Sequence, residues 1–202
     1  MVYFLLYKHM NYPEDIFIGG PITSVPNQVV EVYDPVKDET TERLLLTDQK
    51  SRTMLFFYPQ DFSFICPTEL HRINELVDEF RYEHTEVLVI SRDSSLVHKN
   101  WVKHDEQLKD FKIKMVSDRD GVIGKDIGII NPLSKEYERC SFIVAPNGKV
   151  AHICVVSNKL GRNIDELLRR VKALNHLLAN PDELCKESWQ EPTKEAEECD
   201  VA

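Results

Sequence analysis

Two uninterrupted apolar runs, Met54-Leu55-Phe56-Phe57-Tyr58 and Val87-Leu88-Val89-Ile90, stand on either side of a stretch with helical spacing. Apolar runs of this length read as strands buried on both faces. The stretch between them begins after Pro67 and puts Leu70, Ile73, Leu76, Val77 and Phe80 on one stripe. Strands of this kind, joined through a helix, call for a sheet that helices cover.

The rest of the chain extends that pattern. Ser94 or Ser95 is placed to cap a helix carrying Leu96, Val97 and Trp101. Ile113 to Ser117 reads as a third strand, and Asp118 to about Ile129 as a weaker helix interrupted by Gly121 and Gly124. Asn147-Gly148 lies between the apolar runs 141–145 and 150–156, which is a hairpin signal. The last helix starts at Asn163, with Glu166 three residues on as in a capping box. Its apolar face is Ile164, Leu167, Leu168, Val171, Leu174 and Leu178. Between Ile16 and about Asp48, short runs such as Val29-Val30-Glu31-Val32 suggest short edge strands and turns. The order strand–helix–strand–helix–strand–helix–hairpin–helix predicts an α/β fold with a mixed sheet. At 202 residues the chain holds one domain, 16–179, and an extended acidic C-terminal tail, 180–202. Residues 1–15 carry no readable motif.

Charge and cysteine usage narrow the function. The formal net charge is -9 and no basic patch stands out, so nucleic acid is not an expected partner. The apolar opening, Met1 to Tyr7, is cut short by Lys8 and His9 and is too short to cross a bilayer. No small-residue cleavage site follows it, so a cytoplasmic location without membrane attachment is expected. The cysteines are Cys66, Cys140, Cys154, Cys185 and Cys199, an odd number without Cys-x-x-Cys spacing. That argues against a zinc site, a dithiol motif and a disulfide framework, and no metal or cofactor is expected. Reactive thiols and buried thiols remain.

Cys66 follows a buried strand and precedes a helix, and Pro67 suits the first helical turn. There the helix macrodipole and unpaired N–H groups favour thiolate over thiol, and the thiolate is the nucleophile. Phe64 and Ile65 beside it equally suit a small buried hydrophobe. The local pattern leaves both readings open.

A wider motif bears on that choice. Pro59, Ser63 and Cys66 are spaced Pro-x-x-x-(Thr/Ser)-x-x-Cys, within the stretch Phe56-Phe57-Tyr58-Pro59-Gln60-Asp61-Phe62-Ser63-Phe64-Ile65-Cys66-Pro67-Thr68-Glu69. This stretch resembles the active-site signature of peroxiredoxins, and within them the typical two-cysteine group that includes alkyl hydroperoxide reductase peroxidase subunits. Ser91-Arg92-Asp93-Ser94 with His98 and Trp101 is similar to the family's second strand and following helix. Arg139 with Phe142-Ile143, and Leu160-Gly161-Arg162 with Asp165-Glu166, match further family segments. Cys185 with Trp189 resembles the family's resolving-cysteine segment. The resemblance runs from about Ile18 to Trp189.

It implies a thioredoxin-like fold, a central mixed sheet flanked by helices, with a C-terminal extension. It also implies a thiol-dependent peroxidase acting on hydrogen peroxide and organic hydroperoxides. Cys66 would be the peroxidatic cysteine and pass through a sulfenic acid. Ser63 and Arg139 would offer donors to the charge that builds on sulfur and oxygen, Pro59 would shield the thiolate, and Glu69 and Arg162 would position Arg139. Cys185 would be the resolving cysteine, forming a disulfide with Cys66 of a partner subunit. Cys199 is the competing tail thiol, but Glu197, Glu198 and Asp200 around it should raise its pKa. Cys140 and Cys154 read as core thiols. The implied partners are a hydroperoxide, thioredoxin or a flavoprotein reductase as electron donor, and a second copy in a homodimer, with a decameric ring as the larger alternative.

The chain departs from the family at several points. Ser63 stands where Thr is usual, which keeps the hydroxyl and loses the methyl that restricts the rotamer. There is no Gly-Gly-Leu-Gly insertion between Trp101 and Ser117 and no Tyr-Phe pair after Trp189, which implies resistance to over-oxidation. Lys186-Glu187-Ser188 replaces the usual segment after the resolving cysteine. Two other functions compete with the peroxidase reading. A thiol–disulfide oxidoreductase on the same fold is disfavoured because position 63 is Ser, so Cys66 has no Cys-x-x-Cys partner. An oligomeric holdase chaperone could coexist with the enzyme.

Overall fold

The buried run anticipated after position 53 lies inside the sheet, beside its middle strand. The computed structural model describes Gly20, Ile22 and residues 28–46 and 51–191. The opening segment 1–15 and Cys199 lie outside the described residues. In chain order the elements are β1 (Val29–Asp34), β2 (Glu39–Leu44), β3 (Arg52–Phe57), α1 (Cys66–Glu75), α2 (Val77–Tyr82), β4 (Thr85–Ser91), α3 (Ser95–His104), a 3-10 turn (Glu106–Leu108), β5 (Lys114–Ser117), α4 (Val122–Ile127), β6 (Arg139–Val144), β7 (Val150–Val156) and α5 (Ile164–Ala179). The described strands form one sheet in the order β2-β1-β5-β4-β3-β6-β7.

Every residue of β3 is buried. It pairs in parallel with β4, Leu55 opposite Leu88, and antiparallel with β6, Leu55 opposite Phe142. Strand β4 pairs in parallel with β5, and the outer pairs β1–β5, β1–β2 and β6–β7 are antiparallel, so the sheet is mixed as anticipated. One face packs Met54, Phe56, Val87 and Val89 against Leu70, Ile73, Phe80, Trp101, Leu167 and Val171 of the helices. The other face packs Leu55, Phe57, Leu88 and Ile90 against Ile123 and Ile127 of α4. Helices therefore cover both faces, which is what continuous apolar strands require.

The helical stripe holds across a break. Leu76 lies between α1 and α2, yet Leu70, Ile73, Leu76, Val77 and Phe80 are all buried in one cluster. Ser94 is the cap of α3, its Oγ accepting from Val97 N at 3.4 Å. The hairpin turns at Gly148, whose φ is +77°, closing Gly148 N to Ala145 O at 2.9 Å.

Five sequence expectations need correction. Strand β1 is not an edge strand, because β2 pairs along its outer side. Its alternating burial reports one covered face, not the number of hydrogen-bonded neighbours. The start of α5 is capped by Asn163 Oδ1 accepting from Glu166 N at 3.0 Å, but the Glu166 carboxylate turns to Arg169 and Arg170 and does not close a capping box. Leu178 is 69% exposed, off the buried face of α5. Cys140 is a core thiol, whereas Cys154 is only half-buried. The tail up to residue 191 is not simply extended: it folds back along α5, with Arg169 Nη1 donating to Trp189 O at 2.8 Å and Lys172 Nζ 3.1 Å from Glu191 Oε2.

Gly124 shows how tightly the α4 face is packed. A Cβ there would stand 2.1 Å from Cε1 of the buried Tyr137 ring. That ring is held in place by a hydrogen bond from its hydroxyl to Asp118. Gly124→Ala is expected to lower stability by about 1–3 kcal/mol through overpacking. A urea unfolding curve with an unchanged slope and a lower midpoint checks it.

Candidate active site

Strand β3 ends at Phe57, and the loop after it leads into Cys66, the first residue of α1. Pro67 occupies the first turn, where a missing N–H leaves no intrahelical bond unmade. The chain turns into the helix with Thr68 N donating to Ile65 O at 3.1 Å. Cys66 is fully buried, with 0% of its surface exposed. Of the aromatic residues in the preceding loop, Tyr58 is fully buried, whereas Phe62 is exposed and Phe64 is 94% exposed.

The sulfur of Cys66 meets a guanidinium. Arg139 opens β6, and its Nη1 donates to Cys66 Sγ at 3.3 Å and to Glu69 Oε2 at 2.7 Å. Glu69 stands three residues after Cys66, so the turn of α1 puts its carboxylate on the same side as the sulfur. The other end of Arg139 is fixed by Asn158. Arg139 Nε donates to Asn158 O at 3.1 Å, and Arg139 N donates to Asn158 Oδ1 at 3.0 Å.

Arg162 completes the cluster from the loop before α5. Its backbone N and Nε donate to Glu69 Oε1 at 2.7 and 3.0 Å, and its Nη2 donates to Glu69 Oε2 at 3.2 Å. Its Nη1 donates to Cys140 O at 2.6 Å, and its guanidinium carbon lies 3.3 Å from the centre of the Phe56 ring. Burial pulls the Arg162 guanidinium below its ordinary range, and the Glu69 carboxylate opposes that. Glu69, Arg139 and Arg162 are all nearly excluded from solvent. Two buried cations therefore share one carboxylate, and the excess positive charge faces the sulfur.

The other sequence candidates fall in different places. Pro59 is buried at the start of the loop. Ser63 is half-buried, and its hydroxyl donates to Gln60 O at 3.0 Å, back along its own loop. Burial pushes the Cys140 thiol up to about 12. Cys185 is half-buried against α5, its Sγ 3.8 Å from Ala173 O, so the structure does not bring it to Cys66 within one chain. Two anchors escaped the sequence reading: Asn158, which seats Arg139, and the buried pair Asp61 and His98 beneath the loop. Asn158 follows a strand with no pattern to mark it. His98 had a signal, since it lies three residues before the buried Trp101 on the same helical stripe. Among the described residues no group of His, Cys, Asp and Glu side chains is arranged to hold a metal ion, and no helix is long and apolar enough to cross a membrane.

Residues 28–153 match the family model described as the AhpC/TSA family. The chain is 29% identical over 163 residues to alkyl hydroperoxide reductase C of Staphylococcus haemolyticus (strain JCSC1435), covering 81% of this chain and 86% of that protein. Among solved structures, the reduced 2-Cys peroxiredoxin of Plasmodium vivax superposes with a TM-score of 0.79 at 28% identity, covering 88% of this chain and 91% of that one. Enterococcus faecalis AhpC superposes with a TM-score of 0.78 at 29% identity, covering 85% of this chain and 99% of that one.

Proposed function

The chain belongs to the AhpC/TSA family and is a peroxiredoxin of the typical two-cysteine kind, a thiol-dependent peroxidase, and from that premise we propose that Cys66 is its peroxidatic cysteine and Cys185 its resolving one. The observation that supports the first assignment most is the Arg139 guanidinium 3.3 Å from Cys66 Sγ, held by Glu69 with one positive charge in excess.

The Cys66 thiolate attacks the terminal oxygen of a hydroperoxide. A sulfur–oxygen bond forms, the O–O bond breaks, and the departing alkoxide or hydroxide takes up a proton. Sulfur is oxidised to sulfenic acid and the peroxide is reduced to an alcohol or water. Charge spreads in the transition state from sulfur onto both oxygens. Arg139 is fixed on two sides before reaction, so its donors need no reorganisation to meet that charge. Ser63 can add a hydroxyl by exchanging its bond to Gln60 for one to the peroxide. Pro59 keeps water from the sulfur. Glu69 and Arg162 act through Arg139.

The thiol of Cys185 then attacks the sulfenic acid sulfur, forming a disulfide and releasing water. Cys185 is docked against α5 of its own chain, and on this reading it meets Cys66 of a second copy in a homodimer. A dithiol reductant, thioredoxin or a flavoprotein reductase, returns both sulfurs to thiols. The substrate-bearing domain spans 16–179, and the tail 180–202 carries the resolving thiol.

The test is mass spectrometry of peroxide-treated protein without reductant. The wild type is expected to give a Cys66–Cys185 linkage between two chains. Cys185→Ser is expected to stay monomeric on a non-reducing gel and to accumulate oxidised Cys66. A dimer band that survives in Cys185→Ser would move the resolving role to another thiol.

A further inference from the structure

The loop that delivers the chain into Cys66 carries one residue buried like the core. Asp61 is 6% exposed. Its Oδ1 accepts from the Tyr58 hydroxyl at 2.7 Å, and its Oδ2 lies 2.7 Å from Nδ1 of His98 on α3. Its backbone N donates to Asp93 Oδ2 at 2.8 Å, which also accepts from Ser91 Oγ at 2.8 Å. Burial pushes the Asp61 carboxyl up, and the donors from His98 and Tyr58 oppose that. His98 is fully buried, and its Nε2 has no hydrogen-bond partner among the described residues. Only Nδ1 of the ring therefore has a partner, and that partner is Asp61.

The loop does not take this shape by local preference. Phe62, the next residue, has φ +52°, the left-handed region that costs a side chain with a Cβ. Its ring lies 6.1 Å from that of Trp101 on the same helix α3. So α3 grips the loop twice, through His98 on Asp61 and through Trp101 on Phe62. The loop runs directly into Cys66, which has no exposed surface.

Burial serves one half of the reaction and obstructs the other. Peroxide reduction needs Cys66 held against Arg139. Disulfide formation needs the same sulfur uncovered to a second thiol. We propose that His98 is a positioning residue: through Asp61 it latches loop 59–65 closed over Cys66 and thereby sets how fast the resolving thiol gains access. The inference rests on the reading of Cys66 as the peroxide-reactive thiol.

Losing one hydrogen bond to a buried carboxylate shifts an equilibrium by about ten- to a hundredfold. His98→Leu is therefore expected to raise the rate of disulfide formation after the peroxide step about tenfold, and to raise the peroxide concentration needed for over-oxidation in step. His98→Asn places an N–H near the position of Nδ1 and is expected to restore wild-type rates. Tyr58→Phe removes the other side-chain donor to Asp61 and is expected to act in the same direction, which covers the case where His98→Leu does not fold. The two phases are read by stopped-flow tryptophan fluorescence after mixing reduced full-length protein with hydrogen peroxide, with the folded state checked by circular dichroism. Resolution rates within twofold of wild type in folded His98→Leu and Tyr58→Phe overturn the latch while leaving the wild-type peroxide phase in place. Absence of any peroxide phase in the wild type overturns the peroxidatic reading and the latch with it.

Discussion

Cys66→Ser is expected to lower peroxide turnover by at least about a thousandfold, the scale on which loss of an enzyme's nucleophile is felt. A serine hydroxyl does not ionise near neutral pH, and its oxygen cannot be oxidised to the counterpart of a sulfenic acid. The two buried arginines and Glu69 stay in place, so the fold should survive with a loss of roughly 1 kcal/mol, a melting shift of about 2–4 °C. The contrast between a melting curve displaced by only a few degrees and a collapse of turnover is what distinguishes a reacting group from a packing one. Steady-state peroxide consumption with a reductant in excess, beside a thermal melt, checks both halves. Turnover in Cys66→Ser within tenfold of wild type would place the chemistry on another sulfur.

Glu69→Ala is expected to have the largest effect on stability. It leaves the guanidinium groups of Arg139 and Arg162 buried together without a counter-charge. Removing one partner from a buried ionic cluster costs about 3–5 kcal/mol, because the charges left behind have lost water and found nothing in exchange. Turnover should fall about a hundredfold as well, since Arg139 loses the carboxylate that aims it at Cys66, and misplacement by an ångström is felt on that scale. Glu69→Gln keeps the shape and one acceptor but not the charge, and should fall between Ala and wild type. Urea unfolding midpoints and kcat/KM for the pair of variants check the order.

Much of this architecture was legible before any coordinates. The buried runs that became β3 and β4, and the stripe from Leu70 to Phe80, needed only periodicity, because each residue reports its own burial. Neighbours in the sheet were not legible in that way. The alternation in β1 is the same whether its outer side is open or paired, and β2, which covers it, is mostly exposed and carries no apolar signal.

The site divides along the same line. Cys66 and Glu69 lie one turn apart, and a helix start shows them as a pair. Arg139 and Arg162 reach the cluster across 73 and 93 residues of chain, a separation no local pattern spans. They were found through the likeness of their segments to a known family. Asn158 and the Asp61–His98 pair were missed as anchors because each is defined by a partner distant in the sequence. A buried aspartate in a loop is informative only once the imidazole opposite it is known.

On this reading the O–O bond is broken at the sulfur of Cys66, which faces Arg139 in a cluster with one positive charge in excess. The most direct measurement traps the product of that step. Fully reduced protein is mixed with less than one equivalent of hydrogen peroxide in the presence of dimedone, a reagent for sulfenic acid, and the modified peptide is located by mass spectrometry. The adduct is expected on Cys66 and on no other cysteine. An adduct on Cys140, Cys154 or Cys185 with Cys66 unmodified would place the first oxidation on another sulfur.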